Sequence, residues 1–299
     1  MQFILLNNAL DLAMVDDMNE CIDRLMREMP EAWGFVEETQ NVHNMPGQGH
    51  IFYPLLDYPE VDDTILNPRV LPLVAAALGG EENVRFQEFN IRVWPPGYGR
   101  GGMGVHHDAA VSNRYNRAPI EGHADGHSPP DYLQVFYYLT DVQAPETPAF
   151  CVVPGSNRYA TLEEAHDALG DDYREQPISG AKGTCVIIDS SLFHTRLDGD
   201  GEQGRRLMHH TFARGGWLRT EGGGWREPAT INNPHNLFPE RLAAHDDAAV
   251  RRLFCLWSPT MCEFVASGYD PAYRSCDSRA TFKGSPDPAL RLFDERAGE

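Results

Sequence analysis

The sequence predicts a mainly β fold in which flanking helices surround a double-stranded β-helix (jelly-roll, cupin-like) core. Short strand-like segments framed by turns fill residues 84–216, and helical patterns lie before and after them. We therefore expect one domain over residues 1–299, with a helical flank at 1–83 and a C-terminal helical extension at 217–299. A separate C-terminal cap is the alternative.

Two helices are predicted in the N-terminal flank. Asp11 is the expected N-cap of a helix that runs to about Glu28 with its apolar residues on one face. A second helix fits residues 68–78, because Asn67 precedes it as a cap and Gly79 follows it. The surrounding segments are expected to form a short strand at residues 2–6 and irregular structure at 31–66.

The predicted core strands are rich in β-branched and aromatic residues. They lie at residues 84–94, 133–139, 150–153, 185–188 and 207–212. Gly- and Pro-rich or polar composition predicts loops at 95–102 and 112–132, and helical patterns occur at 161–170 and 239–256.

Charge and composition narrow the possible partners. A formal net charge of −19 disfavours nucleic acids and anionic membranes, which repel it at long range. No apolar run approaches the roughly 20 residues that cross a bilayer, and the N-terminus lacks a basic flank, so we expect a cytoplasmic protein. The six cysteines form no C-x-x-C pair and are expected to be free thiols.

The chemistry is predicted to centre on His106, Asp108 and His194. Residues two apart on a strand share a face, so His106 and Asp108 present an imidazole and a carboxylate side by side. His194, after the 185–188 strand, is the natural third ligand of a 2-His-1-carboxylate iron site. His123 and Asp125 repeat the spacing, but they lie in a Gly/Pro-rich segment that favours a solvated loop.

Arg205, eleven residues after His194, is the candidate partner of a dicarboxylate cosubstrate. A keto acid that chelates iron at one end leaves its distal carboxylate several ångströms away, where an arginine can grip it at two points. Arg206 points the other way, so one of the two is expected to face inward. The alternative is that both are surface arginines.

Five ordered elements together resemble the phytanoyl-CoA dioxygenase-like family of Fe(II)- and 2-oxoglutarate-dependent oxygenases over roughly residues 1–214. They are Pro96-Gly97 before His106-x-Asp108, Tyr138-Leu139-Thr140-Asp141, Val153-Pro154-Gly155-Ser156-Asn157, Gly183 to Asp189 leading to His194, and Arg205 downstream.

The resemblance implies a role for each matched residue. Iron would bind His106, Asp108 and His194, Arg205 would hold the distal carboxylate of 2-oxoglutarate, and O2 would be the second cosubstrate. Gln134 would lie against the cosubstrate, unless it faces solvent. Asp108 favours hydroxylation or a related oxidation, because halogenating relatives carry Gly or Ala there.

The chain departs from the family pattern without losing a ligand. Val105 replaces a frequent aromatic residue, residues 147–150 lack the usual glycine, and Asn157 stands where His is common. These departures suggest a substrate unlike those of the best-known members.

Several other residues have two interpretations. One of His209 and His210 faces the interior, and a packed or hydrogen-bonded histidine is favoured there. Trp94, Tyr98, Met103 and Trp217 either line a pocket or fill the core, and Tyr115, Arg117, His123 and His127 belong either to a lid or to an exposed loop.

The predicted activity is oxidation, most simply hydroxylation, of a C–H bond in a small-molecule substrate of secondary metabolism, by a monomer or homodimer. Two alternatives remain open. One is a cupin-type metalloenzyme that does not use 2-oxoglutarate, and the other is a non-catalytic jelly-roll binding module.

Overall fold

The computed structural model describes residues 3–28, 50–52, 59–94, 104–107, 130, 132–197, 199, 203–214, 218–219, 225–226 and 245–253. The backbone forms two compact units, Met1–Tyr53 with Asn90–His209, and Pro54–Phe89 with His210–Glu299. The prediction of one domain over residues 1–299 remains a prediction.

Five helices lie in the described residues. They are α1 Leu12–Glu28, α2 Pro59–Ile65, α3 Leu71–Leu78, α4 Leu162–Leu169 and α5 Ala248–Leu253. Short 3-10 turns occur at Glu81–Asn83, Ser156–Arg158 and Gly170–Asp172. Within the described part of the chain, no helix has the length and apolar character needed to span a membrane.

The strands form two main antiparallel sheets and a short hairpin. They are β1 Phe3–Leu6, β2 His50–Phe52, β3 Val84–Trp94, β4 Tyr132–Tyr138, β5 Phe150–Val152, β6 Gln176–Ile178, β7 Cys185–Asp189, β8 His194–Arg196, β9 Arg205–Arg214, β10 Leu218–Arg219 and β11 Trp225–Arg226. The large sheet has the order β1-β7-β4-β9-β3-β2, the small sheet has the order β6-β5-β8, and β10 pairs with β11.

A single apolar cluster joins the inner faces of the two main sheets. The large sheet contributes Trp94, Phe136, Tyr138, Val186, Ile188 and Leu207, and the small sheet contributes Phe150, Val152 and Ile178. Two antiparallel sheets around a shared core confirm the predicted mainly β, jelly-roll architecture.

Local capping explains where two of the predicted helices begin. The Asp11 carboxylate accepts a hydrogen bond of 2.8 Å from the backbone N–H of Met14, which confirms Asp11 as the cap of α1. At α4, Thr161 and Glu164 form a reciprocal capping box, which confirms the helix predicted at residues 161–170.

The segment before β3 differs from the prediction. Helix α3 begins at Leu71 rather than at residue 68, because Asn67 closes a turn by accepting the Arg69 N–H at 2.9 Å. Gly79 ends the helix with a φ of 90°, as predicted. The expectation of irregular structure at 31–66 was wrong where β2 and α2 lie, because Gly, Pro and Asn obscured these short elements.

Other predictions fall only partly within the described residues. The loop at 95–102 and residues 112–129 lie outside them, and of the helix predicted at 239–256 the described part contains Ala248–Leu253. The three described cysteines, Cys21, Cys151 and Cys185, are buried thiols, as predicted.

Gly183 fixes the chain just before β7. Its N–H donates to the Tyr138 carbonyl at 2.7 Å, and its carbonyl accepts the Leu10 N–H at 3.1 Å. The residue has a φ of +87°, and a Cβ built on it would lie 2.7 Å from the Leu10 carbonyl oxygen. Both the backbone conformation and the close approach therefore require glycine.

We expect Gly183→Ala to destabilise the fold more than Gly170→Ala. Gly170 also has a positive φ, +51°, but a Cβ there meets no atom within 4 Å. Gly170→Ala should lower the free energy of unfolding by about 1–2 kcal/mol, and Gly183→Ala by a further 1–3 kcal/mol or so from overpacking. Equal losses in denaturant unfolding would contradict the close approach to Leu10.

Candidate functional site

The backbones of His106 and His194 are paired directly. His106 N–H donates to the His194 carbonyl at 2.9 Å and His194 N–H donates to the His106 carbonyl at 2.6 Å, which forms an isolated antiparallel bridge. Residues opposite each other in such a bridge place their side chains on the same face. The two imidazole centroids lie 4.6 Å apart, so the structure brings together the two predicted histidine ligands.

The tautomer of each imidazole follows from its hydrogen bond. Nδ1 of His106 lies 3.0 Å from the Gly104 carbonyl, and Nδ1 of His194 lies 2.8 Å from the Leu192 carbonyl. A carbonyl only accepts, so each Nδ1 carries a proton, and the neutral tautomer with that proton has its lone pair on Nε2. Such a backbone partner orients a histidine that ligates metal through Nε2.

A buried turn sets the position of His194 after β7. The Asp189 side chain accepts the Ser191 N–H at 3.0 Å and the Ser191 hydroxyl at 2.7 Å. Ser156, from the Pro-Gly-Ser motif, accepts the Phe193 N–H on its hydroxyl at 2.9 Å. Asn157 donates to Asp189 at 3.3 Å, so the residue that departs from the family pattern supports the same turn. Two of the motifs in the sequence thus converge on the predicted ligand His194.

The third predicted ligand, Asp108, lies outside the described residues. Among the residues that the structure does describe, no group of three His, Cys, Asp or Glu side chains is placed to hold a metal. His107, between the two predicted ligands, packs its ring against Phe193 at 4.6 Å and bonds the Ala160 carbonyl through Nε2 at 3.2 Å. It therefore belongs to a different environment from His106.

Polar side chains enter the apolar interior from both sheets. Leu207 is in the shared core, so Arg205 and His209, each two residues away on β9, share its face. His194 and Arg196 lie opposite Val152 and Phe150 of the core and also point inward. The interior thus carries positive charge close to the paired histidines.

Arg205 is buried, with 2% of its surface exposed, and its Nε and Nη1 atoms have no hydrogen-bond partner in the described structure. Burial lowers the pKa of Arg205 to about 9, with Tyr138 raising it and Arg196 and Arg92 lowering it. A buried cation with unsatisfied hydrogen-bond donors is unfavourable. The arrangement is that of an arginine that receives an anion.

The structure also bears on the predictions for Arg206 and Gln134. Arg206 faces the opposite side and forms a 2.7 Å ion pair with Asp23 of α1, which confirms that only one of the two arginines points inward. Gln134 is 3% exposed and lies opposite Ile188 of the core, so it does not face solvent. Its contact with a cosubstrate remains a prediction.

Both strand histidines are buried and hydrogen-bonded, as predicted. His209 faces the interior, stacks on Phe136 at 4.7 Å and accepts a 2.9 Å hydrogen bond from Arg92 at Nδ1. His210, on the other face of β9, bonds the Thr64 hydroxyl through Nε2 at 2.8 Å.

Arg92 and Arg196 are interior residues that the sequence analysis missed. Each lies two residues from a residue that it singled out, Trp94 on β3 and His194 on β8. The period of two along a strand was the available signal. Of the other candidates, Tyr98, Met103, Tyr115, Arg117, His123, Asp125, His127 and Trp217 lie outside the described residues.

The described residues fit an iron and 2-oxoglutarate site. Two neighbouring imidazoles with a lone pair on Nε2 supply two of the ligands that non-haem Fe(II) requires. The unpartnered Arg205 guanidinium supplies the donor set that a carboxylate accepts.

Sequence comparison identifies the family. The phytanoyl-CoA dioxygenase (PhyH) model matches residues 3–206, more than half of the chain. The chain belongs to this family. It is therefore an Fe(II)- and 2-oxoglutarate-dependent enzyme that uses O2. This conclusion argues against both alternatives from the sequence, the cupin-type enzyme without 2-oxoglutarate and the non-catalytic binding module. No curated protein matches the chain by sequence.

Solved structures share the fold of this PhyH-family chain at low identity. HygX from Streptomyces hygroscopicus, solved with nickel and 2-oxoglutarate, is 17% identical with a TM-score of 0.50 over 76% of this chain and 92% of HygX. The carbocyclase SnoK is 16% identical with a TM-score of 0.52 over 71% and 79% of the two chains. The epimerase SnoN is 14% identical with a TM-score of 0.53 over 80% and 92%.

We expect Arg205→Met to stabilise the protein in the absence of ligand. The change removes a buried charge whose Nε and Nη1 donate no hydrogen bond, and it keeps an unbranched side chain of similar length, so the free energy of unfolding at pH 7 should rise by about 1–3 kcal/mol. The matched control is Arg206→Met, which loses the partly exposed Asp23 ion pair and should cost about 0–1 kcal/mol.

The effect should depend on pH. The pKa of Arg205 is lower in the folded state, so its penalty is present below about pH 9 and is relieved as pH rises from there toward the ordinary pKa of an unfolded arginine. Denaturant unfolding at pH 7 and above pH 9 measures this. A less stable Arg205→Met protein at pH 7 would contradict a net cost of burying this guanidinium with Nε and Nη1 unsatisfied.

Proposed function

We propose that this PhyH-family enzyme hydroxylates a C–H bond of a small-molecule substrate in secondary metabolism, at an iron held by His106, Asp108 and His194. The observation that carries the proposal is the pair of inward imidazoles, 4.6 Å apart, together with the buried Arg205, whose Nε and Nη1 have no hydrogen-bond partner in the described structure. Iron with 2-oxoglutarate, when bound, supplies the oxidation, in which O2 is consumed and 2-oxoglutarate gives succinate and CO2.

The chain's own side chains bind and orient the reactants in this proposal. His106 and His194 present Nε2 because their Nδ1–H groups are engaged by backbone carbonyls. Arg205 receives the distal carboxylate of 2-oxoglutarate through its unpartnered Nε and Nη1. Phe150 lies 5.4 Å from the His194 ring and helps to exclude water from the ligands.

The fold relatives support the proposed substrate class, and Asp108 supports the proposed reaction type. HygX has been solved with hygromycin B bound, and SnoN with nogalamycin RO. SnoK and SnoN are described as a carbocyclase and an epimerase, so reactions other than hydroxylation also occur on this fold. A carboxylate at residue 108 leaves no ligand position for chloride, which favours hydroxylation over halogenation.

Loss of any proposed iron ligand should abolish activity without unfolding the protein. His106→Ala, His194→Ala and Asp108→Ala should each weaken Fe(II) binding by more than about 100-fold, above the roughly 10–100-fold cost of losing an outer hydrogen bond. The control is His107→Ala, which truncates the adjacent imidazole outside the proposed ligand set. Retained iron-dependent succinate formation in Asp108→Ala would mean that the ligand set is wrong.

The oxidation should be detectable through its two products, succinate and the oxidised substrate. Incubation of the Fe(II) enzyme with 2-oxoglutarate, O2 and a metabolite extract should yield succinate and one metabolite that gains an oxygen atom. Mass spectrometry with 18O2 measures both, and Arg205→Met should lower each product together. Succinate with a product that has lost two hydrogens, and has gained no oxygen, would replace hydroxylation with desaturation or ring formation.

A further inference from the structure

Two arginines contact the same indole ring in the interior. The guanidinium carbon of Arg205 lies 4.1 Å from the centroid of Trp94, and that of Arg196 lies 5.6 Å from it. Since both distances end on one centroid, the two guanidinium carbons are at most 9.7 Å apart. Trp94 itself is 6% exposed, at the end of β3.

The Trp94 ring gives the Arg205 guanidinium a contact that can restrain it, whereas no hydrogen bond in the described structure holds its Nε or Nη1. A long arginine side chain has many rotamers, and most of that freedom must be lost before it can bind a carboxylate at two points. Two of its nitrogen atoms, Nε and Nη1, are held by no hydrogen bond in the described structure. The face of an indole attracts a guanidinium, and more strongly where water is excluded. The ring therefore restrains the guanidinium while its N–H edges stay available.

Arg196 makes this restraint more important. It brings a second positive charge to the same ring, and like charges in an apolar interior repel one another. That repulsion contributes to the lowered pKa of Arg205, after burial. Attraction to the ring opposes displacement of either guanidinium.

We propose that Trp94 is a positioning residue for the cosubstrate, whose indole holds Arg205, beside Arg196, in the orientation that binds the distal carboxylate. This inference rests on the proposed role of Arg205 in binding 2-oxoglutarate. Trp94 acts on the carboxylate through the arginine, because an arginine stacked on a ring directs its N–H groups outward in its own plane. A pre-oriented arginine binds more tightly, because less freedom is lost on binding.

The experiment compares two keto acids that differ only at the distal end. 2-Oxoglutarate and 2-oxobutyrate chelate Fe(II) alike, but only the first has a second carboxylate. The full-length protein is loaded with Fe(II) without oxygen, and each keto acid is titrated by the weak visible charge-transfer band. The variants are Trp94→Leu, Trp94→Phe, Arg205→Met and, as a matched loss of a core ring, Phe212→Leu on the opposite face of β9.

Trp94→Leu should weaken 2-oxoglutarate binding by roughly ten- to thirtyfold, the equivalent of a desolvated cation–π contact. Its binding of 2-oxobutyrate should stay within about twofold, because that ligand does not use Arg205. Trp94→Phe keeps a weaker ring and should fall between Trp94→Leu and the wild type. Phe212→Leu should change neither affinity.

A Trp94→Leu protein that loses affinity for both keto acids alike, or for neither, overturns the inference. Should that variant fail to fold, fluorinated tryptophans give a second test, because they weaken the ring's attraction with little change of shape. They label all five tryptophans, so Trp94→Phe is the background in which fluorination must have no effect. A wild type that binds 2-oxoglutarate no better than Arg205→Met does refutes the proposed function of Arg205 itself.

Discussion

The candidate site depends on one backbone interaction, the antiparallel bridge between His106 and His194. Its two hydrogen bonds of 2.9 and 2.6 Å join chain segments that are far apart in sequence and set both imidazoles on the same face. The turn around Asp189 and the Ser156 hydroxyl then fix where β8 begins. A shift of one residue in this pairing would turn His194 away from the interior, because side chains alternate along a strand.

The interior of the protein also contains positively charged arginines, and burying their charge is unfavourable for stability. Arg205, Arg196 and the Arg92–His209 pair lie among the residues of an apolar core that two sheets build together. An apolar residue in place of Arg205 would pack with less penalty, which indicates that function rather than stability determines that position. The aromatic rings beside the arginines reduce the penalty without neutralising the charge.

The elements with a strong local signal were predictable from sequence. Runs of β-branched and aromatic residues identified β4 and β7. Asp11 located the start of α1, because capping acts within one turn, and a helical pattern located α4. The elements β2 and α2 were missed, since three to seven residues hold too little periodicity to outweigh nearby Gly and Pro. His106, His194 and Arg205 followed from motif spacing. Trp94 remained ambiguous, because only the tertiary fold brings two arginines to its ring.

The partners of the two imidazole Nδ1 atoms have an evolutionary consequence. Each proposed ligand is oriented by the carbonyl of the residue two positions before it, Gly104 for His106 and Leu192 for His194. A main-chain oxygen survives any change of side chain, so substitutions elsewhere in the barrel do not remove the group that sets the tautomer. A histidine that is oriented by the main chain two residues before it can keep its orientation while most other residues change, in keeping with a fold shared at 14–17% identity.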